Sequence, residues 1–332
     1  CQIDQISKQH TNKSTKKMII FILFLLYYTC AADDVLPEGF HSEIDGISVS
    51  CGHHHTCAIE YRPGIDFGGV LKCWGMEIGH EFDKQEDTPE GVFIQISTGD
   101  LHSCAIRVDE TVQCWGAVNY APPGEFIQVA VGEFHTCGLR KDQTAVCWGK
   151  NLFGEGHPPH GKFVQITSSR HYSCGLRETG KVECWGTMEY AGPSKAKPPE
   201  DVLFKQISAG DDHACGVRLD GGIQCWGSNR LNQAITLEPT DPAPGSILNP
   251  SHGPFRQVSC SKGNTCVICD DEKIRCWGQH INFSSQKYPD TSEYEQISLG
   301  RHHICGVTME SELHCWGNVG SLVDVPDGFT IG

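Results

Sequence analysis

All seven tryptophans of this chain fall inside one tripeptide, Cys-Trp-Gly, at Trp74, Trp115, Trp148, Trp185, Trp226, Trp277 and Trp316, spaced 33 to 51 residues apart. Such regularity makes this a repeat protein. Periods of this size build solenoids or propellers, because one unit cannot bury its own apolar face and must stack on its neighbours. The copy from Phe126 to Gly149 serves as the template. Laid over it, the other copies give repeats at about 35–75, 76–116, 117–149, 150–186, 187–227, 228–278 and 279–317, with a tail at 318–332. A ring of seven units takes up residues 33–332 as one domain, which overrides the two domains that 332 residues would otherwise suggest.

Residues Met18 to Tyr28 are an apolar run with Lys13, Lys16 and Lys17 before it and Thr29, Cys30, Ala31 and Ala32 after it. Such a run reads as a secretory signal peptide over 18–32 within a leader of 1–32, since it falls short of the ~20 residues of a spanning helix. Met18 reads as the start. The chain is therefore expected to be secreted or extracellular. Net charge is −15 with scattered basic residues. This leaves no electrostatic footprint for nucleic acid.

Of 19 cysteines, fourteen belong to the repeat, paired as Cys57 with Cys73, Cys104 with Cys114, Cys137 with Cys147, Cys174 with Cys184, Cys215 with Cys225, Cys266 with Cys276, and Cys305 with Cys315. Six pairs are ten positions apart and the first is sixteen. A separation of ten sets two cysteines opposite each other across a hairpin with a three-residue loop, close enough for a disulfide. Zinc is the alternative for paired cysteines, but the two-to-four-residue spacing of metal knuckles is missing and an exported chain oxidises its thiols. The last loop residue favours the left-handed region. Gly180 and Gly221 suit it, whereas Glu110, Gln143, Glu272 and Ser311 do so less comfortably. Cys51, Cys260 and Cys269 remain outside the repeat, so at least one is expected to stay free or to bond another chain.

Each repeat reads as three strands: Phe-x-Gln-Ile-Ser, a strand from the histidine before the first cysteine, and one ending in Cys-Trp-Gly. Alternation puts the cysteines on one face and the tryptophan on the other, beside small residues such as Ser103 and Ala105. Each indole is expected to pack on the next sheet. Sheets covered on both faces stack radially in a closed ring, so the expected fold is an all-β, seven-bladed propeller with three antiparallel strands and one disulfide hairpin per blade.

The Gly-x-x-His-x-Cys and Cys-Trp-Gly phrases, between Ile47 and Gly317, resemble regulator-of-chromosome-condensation repeats. They are similar in particular to the short cysteine-bearing version in the ectodomains of crinkly-type plant receptor kinases. The resemblance implies a seven-bladed ectodomain that binds other proteins, and a related short-repeat propeller acts as a secreted enzyme inhibitor.

Comparing the copies separates frame from free positions. His55, His102, His135, His213 and His303 hold one frame position, with Tyr172 and Asn264 in the other two copies. Substitution by Tyr and Asn keeps hydrogen bonding but not acid–base chemistry, so these histidines read as closing the turn by a hydrogen bond. The turn residues vary freely, and the candidates for a ligand face are His53, His54, Asp100, Leu101, Glu133, Phe134, Arg170, His171, Asp211, Asp212, Arg301 and His302. Leu101 and Phe134 would be its exposed apolar residues. His53, His54 and His302 could meet where the last repeat joins the first, although three histidines without a carboxylate make a weak metal signal. Arg107, Arg140, Arg177 and Arg218 form a stripe by the hairpin tips, read as solvated strand ends.

No residue is singled out as catalytic, cofactor-binding or metal-ligating, and no cofactor is expected. The expected function is an extracellular or secreted module that recognises a protein, peptide or glycan through a loop face, with a receptor ectodomain as one form. A membrane enters only through a further C-terminal segment. The alternatives are a secreted hydrolase or lyase with its site in the central channel, a secreted enzyme inhibitor, or a purely structural surface protein. Asn282 is the expected glycosylation acceptor, in Asn282-Phe283-Ser284. The tail PDGFTIG starts like another repeat, and the first repeat has Gly46 where the others have Phe or Tyr. Phe329 to Ile331 are therefore expected to pair as a strand near Ile47 to Ser50 and close the ring.

Overall fold

A computed structural model of the chain describes residues 49–75 except 61, 63 and 66, and residues 88–188, 197–239, 254–278, 292–317, 320–326 and 329. The chain divides into Cys1–Pro37 and Glu38–Gly332, and every described residue lies in the second unit. The leader and Asn282 lie outside the described residues.

The described residues form seven three-stranded antiparallel sheets, each in sequential order, as a seven-bladed propeller. Blade 1 consists of β1 (Val49–Cys51), β2 (His55–Glu60) and β3 (Val70–Gly75). The other blades span residues 93–116, 126–149, 165–186, 204–227, 255–278 and 294–317. Each carries the expected disulfide between directly opposed residues, from Cys57–Cys73 in blade 1 to Cys305–Cys315 in blade 7. The hairpins close as the spacing requires. In blade 3, Arg140 N–H donates to the Thr144 carbonyl at 2.9 Å, and Gln143 takes φ 69°. Glu110, Glu272 and Ser311 adopt the same left-handed conformation, as do Gly180 and Gly221.

Strict alternation would put Phe93 on the same face as Gln95. The structure separates them with a bulge, because Phe93 pairs with Arg107 and Gln95 with the next residue along, Ile106. One extra residue turns the phenyl ring onto the face of Ile96 and Trp115. The same bulge recurs in blades 3, 5, 6 and 7. Every phenylalanine at this frame position is fully buried (Phe93, Phe126, Phe163, Phe204 and Phe255 at 0% exposure).

The core is seven seams rather than one centre. At each, the disulfide face of one blade meets the Phe/Trp face of the blade that follows, so that Cys104, Ile106 and Cys114 pack on Phe126, Val129 and Trp148. Each indole therefore packs on the preceding sheet's disulfide, not on the next sheet as expected from the sequence. The seventh seam joins Cys305, Val307 and Leu313 of blade 7 to Val49, Ala58 and Trp74 of blade 1, which closes the ring.

Candidate functional site

Polar side chains stitch the blades together, and they determine which residues are left for a ligand. Gln95 Oε1 accepts from Val129 N–H at 2.7 Å, and Ser97 Oγ accepts from Val131 N–H at 3.0 Å, so side chains of one inner strand satisfy the backbone of the next. Gln128, Gln165, Gln206 and Gln257 act alike. Sequence reasoning missed this role, although a glutamine recurring inside an apolar strand was the visible signal.

The frame histidines also bond across the seam instead of closing their own turn. His102 Nε2 lies 2.7 Å from Thr136 Oγ1, His55 Nε2 2.6 Å from Ser103 Oγ, and His303 Nε2 2.6 Å from Thr56 Oγ1. In blade 4, the hydroxyl of Tyr172 reaches the carbonyls of Gly210 and His213 at 2.7 and 2.6 Å. Burial pushes the pKa of His102, His213 and His303 down to about 3, so they stay neutral and act as fixed hydrogen-bonding parts. A Cβ on Gly99 would run into the Gly132 carbonyl, which is why glycine opens this turn.

These constraints split the candidate ligand face into two rings. The first residues of the turns, His53, Asp100, Glu133, Arg170, Asp211 and Arg301, line the mouth of the central channel, a cavity of about 90 Å³. In blade 6, Ser261 stands there rather than Lys262. The second residues, His54, Leu101, Phe134, His171, Asp212 and His302, do not line it. Leu101 and Phe134 are half-buried, not exposed, and the Lys150 ammonium lies 4.5 Å from the Phe134 ring centroid.

Within the mouth, Arg170 Nε donates to Glu133 Oε2 at 2.9 Å. Arg301 Nη1 lies 2.9 Å from His53 Nδ1, which is 3.4 Å from Asp100 Oδ2. Burial alone would raise the Asp100 carboxyl, but His53 and Arg301 hold it below the usual range. Asp211 is the exception: burial and the neighbouring Asp100 charge push it up to about 7.

The structure does bring His53, His54 and His302 together, with the first two rings stacked at 3.6 Å and the third 5.5 Å from His53. It adds the carboxylate, Asp100, that the sequence did not place there. Even so, these side chains do not form a set of ligand atoms close enough to share an ion.

The arginine stripe is not a row of solvated strand ends. Arg107, Arg140 and Arg177 cap the rings of Phe93, Phe126 and Phe163 at 4.8, 5.2 and 3.8 Å. Arg177 also bonds Glu183, and Arg218 bonds Asp220 and Glu238. Cys51, Cys260 and Cys269 are free but buried, which removes them from pairing with another chain.

The blade pattern matches the regulator of chromosome condensation (RCC1) repeat family at residues 93–120, 126–155 and 204–233. Those three segments match RCC1 repeats. Among solved structures, this propeller is similar to the ectodomain of the Physcomitrella patens receptor kinase CR4, with a TM-score of 0.63 and 23% identity over 83% of this chain and 74% of that one. It is equally similar to the CRINKLY WD40 ectodomain of the Arabidopsis thaliana receptor kinase ACR4, with a TM-score of 0.63 and 21% identity over 84% of this chain and 98% of that one. A C-terminal domain of gp131 from bacteriophage phiKZ superposes with a TM-score of 0.50 and 10% identity, over 88% of this chain and 98% of that one. At such identities the propeller shares a fold with these proteins and no more. No curated protein sequence matches the chain.

Proposed function

We propose that this RCC1-repeat propeller is an extracellular binding module that recognises a protein ligand through the charged mouth of its central channel. The observation that carries this reading is the convergence of side chains from variable, non-frame positions of six of the blades on one small opening. The scaffold holds those side chains rigidly, as binding loops on a stable frame are held. A volume of about 90 Å³ suits one inserted side chain and is well below the ~300–1,000 Å³ of small-molecule sites. This favours a protein or peptide over a metabolite, and over a hydrolase or lyase substrate threaded into the channel. Seven disulfides suit an oxidising compartment. The two receptor ectodomains of the same fold point the same way.

The test is to pan a displayed random-peptide library against the folded protein and to measure the enriched peptides against Asp100→Lys, Asp211→Lys and a control on the opposite rim, Arg140→Glu. The mouth variants are expected to weaken binding at least tenfold, with the control unchanged. Peptides that bind all four proteins alike, or lose affinity only with the control, would move the site elsewhere.

A further inference from the structure

Two of the free thiols stand beside disulfides of the neighbouring blade. The sulfurs of Cys51 in blade 1 and Cys305 in blade 7 lie, with a His303 ring nitrogen, within 4.8 Å of one another. The sulfurs of Cys260 in blade 6 and Cys215 in blade 5 lie equally close, with His213. Both thiols occupy the same frame position near the end of their inner strands, where other blades carry Thr98, Val131, Ser168, Ala209 or Leu299, so the frame does not require cysteine there.

The two seams are also the ones least tied by the chain. Blades 7 and 1 lie at opposite ends of the sequence, and blades 5 and 6 are joined by the longest connection, residues 228–254. A covalent bond at such places removes the most chain entropy.

We propose that Cys51 and Cys260 are exchange sites that convert hairpin disulfides into bonds between blades, Cys51–Cys305 across the ring closure and Cys260–Cys215 across the longest connection. The Cys51 thiolate attacks Cys305 Sγ, the new S–S bond forms, the Cys305–Cys315 bond breaks, and Cys315 leaves as a thiolate that takes up the proton Cys51 gave. One thiol and one disulfide stand on each side of the step, so it needs no oxidant. The same step at the second seam releases Cys225.

The neighbourhood keeps this exchange slow at neutral pH. Around Cys51 lie Thr56 on its own blade and Ser298 and His303 on blade 7, with Asp100 and Arg301 in the adjoining mouth. Around Cys260 lie Thr265, Ser208, Cys215, neutral His213, Tyr172 and, in the mouth, Asp211. Burial pushes both thiols up to about 12, which leaves little thiolate to attack.

Non-reducing peptide mapping of the oxidised, full-length protein tests the proposal. In Cys315→Ser, the Cys305 thiol has lost its hairpin partner, and a linked Cys51–Cys305 peptide is expected. Recovery of both as alkylated thiols from folded protein overturns the proposal. Wild-type protein gives a second arm that needs no new fold: after incubation at pH 9.5, acid quench and alkylation, Cys315 should appear as the labelled thiol beside the Cys51–Cys305 peptide. Its rate should be independent of protein concentration and about tenfold lower at pH 8.5, and Cys51→Ser should abolish it. Persistence of Cys305–Cys315 with Cys51 labelled in place of Cys315 would sink the idea. Cys225→Ser tests the second seam in the same way.

Discussion

At the scale of single residues, the channel mouth contains one poorly matched charge. Glu133 is paired with Arg170 and Asp100 leans on His53, whereas Asp211 sits half-buried with a pKa near 7. A carboxyl whose folded pKa is raised holds its proton more tightly in the native state, so its effect on stability is felt above its ordinary value near 3.8 and grows as pH rises to about 7. Asp211→Asn removes a charge that the fold tolerates poorly. It should raise Tm by ~2–6 °C at pH 8, corresponding to about 1–2 kcal/mol once solvent screening is allowed for, and leave it unchanged below about pH 4. Thermal denaturation followed at both pH values checks this. An equal gain at pH 4 would mean that packing, not charge, was responsible. Such strain at the mouth is in keeping with the binding role proposed for it.

The blade is the element, and its hairpin is where its sequence is least ideal. Four blades force Glu110, Gln143, Glu272 and Ser311 into the left-handed region that Gly180 and Gly221 occupy freely. A side chain there costs ~1 kcal/mol against glycine's ready access. Gln143→Gly is therefore expected to stabilise the protein by about 0.5 kcal/mol, net of the extra freedom glycine has when unfolded. Chemical denaturation with the disulfides intact should show a higher midpoint with an unchanged slope, and a lower midpoint would assign Gln143 a contact that outweighs its strain. This part of the blade was legible from ten-residue spacing alone, because hairpin length dictates both register and the conformation of the last loop residue. The bulge before Gln95 was not legible. Its cause is the need to put Phe93 and Trp115 on one face against the preceding blade, a demand that only the neighbour makes.

For the whole molecule the question is how the ring is fastened. Blade 7 meets blade 1 through the same contacts as any other pair: Ser298 Oγ accepts from Cys51 N–H at 2.9 Å, and His303 reaches Thr56. Beyond the last blade, a single helical turn, α1 (Gly320–Val323), presents the Leu322 carbonyl to the Trp74 indole N–H at 3.2 Å. The carbonyls of Glu155 and Gln233, in two of the connections between blades, hold Trp185 and Trp277 at 3.0 Å each. The tail thus supplies what a connection would supply if the chain were circular. Phe329 then packs edge-on against Trp74 at 6.0 Å, nearly the 6.1 Å between Phe126 and Trp148, and so replaces the aromatic that the first repeat lacks. Phe329 itself lies in no strand, and Thr330 and Ile331 lie outside the described residues, so the fastening that can be described is aromatic packing rather than the expected strand pairing. Phe329→Ala should cost about 1–3 kcal/mol for a half-buried ring and lower Tm by ~3–8 °C. An unchanged differential scanning calorimetry trace would show that the tail bears no part of the closure.

The sequence by itself determined the blade count, the strand order, the seven disulfides and the turns that gather at one end of the blades. Each follows from local spacing repeated seven times, and repetition averages away the ambiguity of any single copy. Only the tertiary structure decided the direction of each seam, the bulge that turns the phenyl rings, the split of the turn residues into a mouth and an outer ring, and the placing of Cys51 beside Cys305. Those depend on which surface a neighbouring blade presents. In a ring, that neighbour is one repeat away for most blades, and for the first blade it lies at the other end of the sequence.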